Sequence, residues 1–194
     1  MRTAQIHRKT NETDIHLKLN LDGEGKFIGL TEIGFFDHML HSFTRLGLFD
    51  LEMQVKGDTH IDDHHTVEDV GIVLGQVIKE AVGDKKGIQR YGSCILPMDE
   101  VLVMVAIDLG GRAYFKFDAD LTFGKVGTFD VELVEEFFKS VAFHANMNLH
   151  MKVLDGSNVH HIIEALFKAF GKALDQATIR DMRIQHVMST KGII

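Results

Sequence analysis

Apolar and polar residues along this chain fall into two rhythms, and each rhythm occurs twice. Leu51, Met53 and Val55 alternate with Glu52 and Gln54, the period-two pattern of a half-buried strand. Leu149, Met151 and Val153 alternate with His150 and Lys152 in the same way. Ahead of these strands lie two helical stretches, Phe35 to Leu46 and Leu133 to Ala145. Behind them, Val67, Val70, Leu74 and Ile78 are spaced as one helix face, and Ile163, Leu166, Phe170 and Leu174 repeat that spacing. Gly75 lines up with Gly171. Each half therefore reads helix, strand, loop, helix.

Further strands lead each half. Ile15, Leu17, Leu19 and Leu21 alternate with polar residues, and Asp22-Gly23 makes a turn. Cys94 to Asp108 is rich in Val, Ile, Leu and Met, as a well-buried strand pair would be, and Gly110-Gly111 turns the chain into Ala113 to Phe117. Pro97, the only proline, predicts an edge strand or a bulge there. No linker or low-complexity tract intervenes. The reading is an α+β protein whose halves, 1–92 and 93–194, are structural repeats packed as one unit, each an antiparallel or mixed sheet with helices on one face.

Composition narrows the function classes. A length of 194 residues suits one domain, or two small ones sharing a core. The net charge of −7 argues against a nucleic-acid binder, which would show a basic face. The start, Met1 to Thr10, lacks an apolar signal-like core, and the run Val101 to Ile107 is too short to span a bilayer. A single cysteine, Cys94, excludes an intrachain disulfide and fits a reducing compartment, so cytoplasm is the default.

With no Trp and two Tyr, twelve histidines are conspicuous. The pentad His-His-x-x-Glu occurs at His64-His65-Thr66-Val67-Glu68 and at His160-His161-Ile162-Ile163-Glu164, 96 residues apart (160 − 64). Asp62 and Asn158 precede the copies at the same offset, and both are favoured N-cap residues. The histidines then lie in a first helical turn, where the positive end of the helix dipole disfavours an imidazolium and biases the rings to the neutral form a metal needs. Residues i and i+4 share a face, so His64 and Glu68 can grip one ion; His65, rotated by about 100°, points toward another. Pairing the strands of the two halves aligns Asp37-His38 with Glu135-Glu136 and adds His38 and Glu136 to the candidates. Mixed imidazole and carboxylate ligands suit Mn, Fe, Co or Zn, and four or more with room for water favour six-coordinate Mn. A lone helical histidine is usually structural or solvated; two matched copies behind matched caps point to metal. His41, His60, His144 and His186 pair with no cluster and read as ordinary histidines. His150, on the polar face of its strand, is either a surface residue or a support for a ligand.

The ligands alone leave two readings open. A dinuclear metallohydrolase acting on a phosphoester would release phosphate. A metal-buffering or metal-assembled structural protein would need its histidines but not Glu12, Arg112 or Lys191.

Longer motifs carry a resemblance over effectively the whole chain. Arg8-Lys9-Thr10-Asn11-Glu12-Thr13, Phe36-Asp37-His38-Met39-Leu40, Asp62 to Asp69, Arg90-Tyr91-Gly92, Gly110-Gly111-Arg112, Asn158 to Ala165 and Ser189-Thr190-Lys191-Gly192 resemble the signatures of the imidazoleglycerol-phosphate dehydratase family. The resemblance implies a duplicated fold of the ribosomal protein S5 domain 2-like kind. It implies a hydro-lyase of histidine biosynthesis that converts imidazole glycerol phosphate to imidazole acetol phosphate, two Mn ions per active site, and a homo-24-mer built from trimers. Carried over, the metal ligands would be His38, His64, His65, Glu68, Glu136, His160, His161 and Glu164; many relatives have His at the position of Glu136. The hydrogen to be removed has no neighbouring carbonyl, so the ring must take up the electrons; the expected route passes through a metal-bound imidazolate and a diazafulvene-like intermediate. Glu12 is the first choice for the acid/base group, with Glu164 and a metal-bound water in reserve. Substrate binding falls to Glu12, His38, His64, His65 and Glu68 around the imidazole, and to Arg90, Arg112, Ser189 and Lys191 around the phosphate, where arginine can bind in bidentate fashion.

Overall fold

The structure, a computed structural model, describes residues 1–121 and 123–194. The first half consists of β1 (Thr3–Lys9), β2 (Thr13–Asn20), β3 (Phe27–Ile28), α1 (Gly34–Gly47), β4 (Asp50–Gly57) and α2 (His64–Val82). The second consists of β5 (Tyr91–Met98), β6 (Val101–Asp108), β7 (Tyr114–Asp118), the short strands β8 (Lys125–Val126) and β9 (Phe129–Asp130), α3 (Leu133–His144), β10 (Asn148–Asp155) and α4 (Val159–Thr178).

The sheets repeat the same order, β1-β2-β4-β3 and β5-β6-β10-β7. In each, the first three strands pair antiparallel and the last joins in parallel. This is the α+β, mixed-sheet class expected. Pro97 sits in β5, an edge strand, where a missing N–H costs no ladder bond. Ile15, Leu17 and Leu19 of β2 and Val101, Val103 and Val105 of β6 turn one sheet face inward. Helix α2 covers β1 and β2, and α4 covers β5 and β6.

The helices of the two halves pack crosswise: α1 against α4, and α2 against α3. Phenylalanines interlock there. Phe43 of α1 stacks on Phe170 of α4 with ring centroids 5.3 Å apart, and Phe138 of α3 meets Phe167 at 4.6 Å. The aligned glycines explain the close approach. A methyl group on Gly171 would lie 2.5 Å from the Phe43 carbonyl oxygen, and one on Gly75 2.6 Å from that of Val141. Each glycine lets one helix backbone rest against the other.

Two local readings change. The third strand of the second half runs Tyr114–Asp118, one residue later than the pattern placed it. Asn158 does cap α4, accepting from His161 N–H at 3.3 Å, but the residue before α2 is Asp63. Asp62 still serves that end, because its carboxylate accepts from His64 N–H at 2.8 Å.

Candidate functional site

The crosswise packing brings distant ligands together. His38, in the first turns of α1, faces His160 and Glu164 at the start of α4. Glu164 Oε2 lies 3.5 Å from His38 Nε2 and 3.3 Å from His160 Nε2. Donor atoms of all three lie within 4.8 Å of one another. Glu164 is 8% exposed. Burial works to raise its carboxyl, but the Lys168 ammonium, 2.8 Å from Oε1, and the histidines beside it hold it below the usual range. The loop before α1 is fixed by Asp37, which accepts from both the N–H and the hydroxyl of Thr31 at 2.7 Å.

At the start of α2, His64 Nε2 is 3.8 Å from Glu68 Oε2, the i,i+4 pair expected. Glu136, aligned with His38 by the repeat, does not close this cluster. It lies on α3, which packs on α2, but its carboxylate takes a hydrogen bond from Lys139 at 3.2 Å. Glu12, in the β1–β2 turn, reaches to 3.8 Å from His65 Nε2. That turn is pinned to α2 through buried Asp69, which accepts from the Thr13 hydroxyl and pairs with Arg8, both at 2.5 Å.

The second histidine of each pentad is oriented by a carboxylate that the sequence reading missed. His65 Nδ1 donates to Asp58 at 2.9 Å, and His161 Nδ1 donates to Glu100 at 3.0 Å. In both, Nε2 remains available to a metal, the arrangement by which outer carboxylates fix a ligand's tautomer. Asp58 comes from the loop before α2 and Glu100 from the β5–β6 turn. They are not repeat partners, so no periodicity marks them. The Asp58 hydrogen bond raises the His65 pKa, against the neutral bias expected from the helix N-terminus; a carboxylate at contact distance outweighs a half-charge dipole.

The phosphate candidates gather elsewhere. Arg90, Arg112, Ser189 and Lys191 line one cavity of about 1040 Å³, together with Arg183 and His186, and no Asp or Glu lines it. His186, read from sequence as an ordinary histidine, thus lines the same cavity as these arginines and lysine. Arg90 is partly committed: Asp108 accepts two of its N–H groups at 2.6 and 3.0 Å, and the Met188 carbonyl a third at 2.7 Å. The C-terminal tail is docked, with Lys86 bridging to Val187 and Ile88 to Arg180. His150 is exposed beside Tyr114, 5.4 Å between rings, so it is a surface residue.

None of the pentad histidines lines this cavity. Arg90 N–H bonds to the carbonyl of Ala177, near the end of α4, whereas His160 opens that helix. At 1.5 Å per residue the two points are about 25 Å apart.

The chain is thus a duplicated α+β protein that gathers imidazoles and carboxylates at helix crossings, with a separate cavity lined by cationic side chains. Residues 31–174 match a family model described as imidazoleglycerol-phosphate dehydratase. The chain belongs to the imidazoleglycerol-phosphate dehydratase family. Curated imidazoleglycerol-phosphate dehydratases from Acetivibrio thermocellus and Lachnoclostridium phytofermentans are 62% and 60% identical over 193 residues, covering 100% of this chain and 99% and 98% of theirs. The crystal structure of the Staphylococcus aureus enzyme superposes with a TM-score of 0.81 at 41% identity, covering 92% of this chain and 99% of that one. The Pyrococcus furiosus structure gives 0.83 at 35%, covering 97% and 100%. Among the described residues no helix is long and apolar enough to cross a membrane.

Proposed function

We propose that this chain is an imidazoleglycerol-phosphate dehydratase, removing water from imidazole glycerol phosphate to give imidazole acetol phosphate, with two Mn ions per site. Family membership over the full chain carries the activity. The donor set supports the metal: imidazole nitrogens and a carboxylate oxygen converge at 3.3–3.5 Å, and mixed donors of this kind suit Mn. His38, His160 and Glu164 would hold one ion, His64 and Glu68 the other, with His65, His161 and Glu136 completing the two shells. Bound metal would draw electron density from the substrate imidazole and so acidify its side chain.

The remaining work falls to the chain's own groups. Glu12, next to His65, moves the proton between the reacting carbons and the departing hydroxyl. The departing hydroxyl and the proton taken from carbon together make up the water lost, and the enol so formed becomes the ketone. Glu164 has both oxygens engaged, by Lys168 and by two imidazoles, which favours a ligand's role over an acid's. Arg112 and Lys191, with Arg90 and Ser189, hold the phosphate.

The roughly 25 Å between α4's histidines and the phosphate cavity supports an active site shared between subunits. A substrate whose ring and phosphate are joined by one glycerol chain cannot span that length within a subunit. In our reading the α4 ligands of one subunit work with the cavity of another, within a large symmetric homo-oligomer that we take to be a 24-mer built from trimers. The repeat halves, 1–92 and 93–194, act as one catalytic unit in each copy, and the lone reduced Cys94 suits a cytoplasmic enzyme.

The test is a dehydration assay with Mn on two single variants, His160→Ala and Arg112→Ala, each assembled alone and then co-assembled from chelated chains. Each alone should be inactive, while the mixture should recover a measurable fraction of wild-type activity. A mixture as inactive as its parents would refute the shared site. Absence of activity in the wild type would refute the reaction.

A further inference from the structure

One cluster of ligating side chains lies outside this machinery. His7 on β1 and His16 on β2 are register partners, and their imidazoles stack with centroids 3.6 Å apart and planes 12° apart. Asp14, two residues before His16 on the same strand face, places Oδ1 2.7 Å from His7 Nε2 and 3.7 Å from His16 Nε2. Ligand atoms of the three lie within 4.8 Å of one another.

We propose that His7, Asp14 and His16 form a separate binding site for a divalent transition-metal ion of the zinc, nickel or copper type, on the outer face of the first sheet. Strand alternation sets it apart from the family site. Along β1 and β2, His7, Asp14 and His16 point to solvent, while Arg8 turns inward to Asp69 and Ile15 enters the core. Neither the catalytic carboxylate nor a pentad histidine shares this face.

The geometry suits such an ion. With metal–ligand bonds near 2.0–2.1 Å, tetrahedral ligand atoms stand roughly 3.3–3.4 Å apart. The observed separations of 2.7 and 3.7 Å bracket that value, and side-chain rotation supplies the difference. Both Nε2 atoms already face one carboxylate oxygen. Lys9 holds the other oxygen at 2.8 Å, which orients the carboxylate while leaving Oδ1 free. Two imidazoles and one carboxylate leave a position for water, and imidazole-rich sites of this kind select zinc, copper or nickel over magnesium or calcium. Exposure and the Lys9 charge keep the affinity moderate.

The experiment titrates the assembled, Mn-loaded enzyme with Zn²⁺ by calorimetry, comparing wild type with a His7→Gln/His16→Gln double variant. Displacement of Mn by zinc occurs equally in both, so the difference isolates the new site. One extra zinc per chain in the wild type is expected, with unchanged dehydration activity in the zinc-free double variant. The variant His16→Gln alone keeps the His7–Asp14 pair and should weaken that extra site at least about tenfold. Equal zinc stoichiometry and affinity in all three proteins would overturn the proposal, as would absorption bands of added Co²⁺ that do not differ between them.

Discussion

The two helix crossings arise from one repeat, yet they differ in how far their ligands converge. At the α1–α4 crossing, Lys168 grips Glu164 and holds it against His38 and His160, with its side chain 11% exposed. At the α2–α3 crossing, Ile72 occupies the position matching Lys168 (168 − 96), and the Glu68 side chain is 41% exposed. The lysine present there, Lys139, draws Glu136 onto its own helix. The same residue type therefore orders one carboxylate toward its site and holds the other aside. Ligands preorganised by packing bind at lower entropic cost, so the α1–α4 crossing should be the tighter metal site and the α2–α3 crossing the one that metal must finish.

The largest effect should come from removing a ligand. His160→Ala and His64→Ala should each lose about one Mn per chain by elemental analysis, and turnover should fall on the order of a thousandfold, reflecting the several kcal/mol a Lewis acid supplies. Retention of both ions in His160→Ala would break the reading of the closed cluster. Next are the orienting carboxylates. Asp58→Asn and Glu100→Gln should each weaken Mn binding by roughly 10- to 100-fold. Asp58 raises the His65 pKa, and a ligand must lose its proton to bind metal. Protons therefore compete with Mn for His65, and the apparent affinity declines as pH falls below the raised pKa. Asp58→Asn should lower the pH at which Mn affinity starts to decline, a shift that a packing defect would not produce.

Smaller effects compare the crossings themselves. Gly171→Ala and Gly75→Ala should each destabilise by about 1–3 kcal/mol in denaturant unfolding, since both force a methyl against a backbone oxygen. Clearly unequal losses would show that the two crossings are not packed alike. The smallest change is expected for Lys139→Met, which should release Glu136 and tighten Mn binding at the α2–α3 crossing by less than about fivefold, as befits a half-exposed ion pair. Lys168→Met should act in the opposite direction at the other crossing. Weaker binding in both would refute the opposed roles of these lysines.

Much of this was legible in the chain. Alternation marked β2, β4 and β10, a run rich in apolar residues marked β5 and β6, and helical spacing marked α2 and α4, because a face that must be buried leaves a period of 2.0 or 3.6. Duplication supplied more: it aligned Gly75 with Gly171 and His38 with Glu136 before any packing was known. Asp58 and Glu100 left no trace, since one lies in a loop and the other in a hairpin turn that the repeat does not relate. Asp69 stood in plain view within a motif, but its bond to Thr13 spans 56 positions and has no local signature. His186 looked ordinary because the cavity it lines is formed only when the tail docks on residues 86–90.

The sequence by itself determined the elements, their doubling and the kinds of ligand each helix start presents, because these follow from local periodicity and side-chain chemistry. Only the tertiary structure decided which ligands meet. Helices of opposite halves cross where glycine lets backbones touch, and this carries His38 to Glu164 across 126 positions of chain (164 − 38). It also sets the His38–His160–Glu164 cluster and the cationic cavity at opposite ends of α4, a separation fixed by the rigid rise of a helix rather than by any motif.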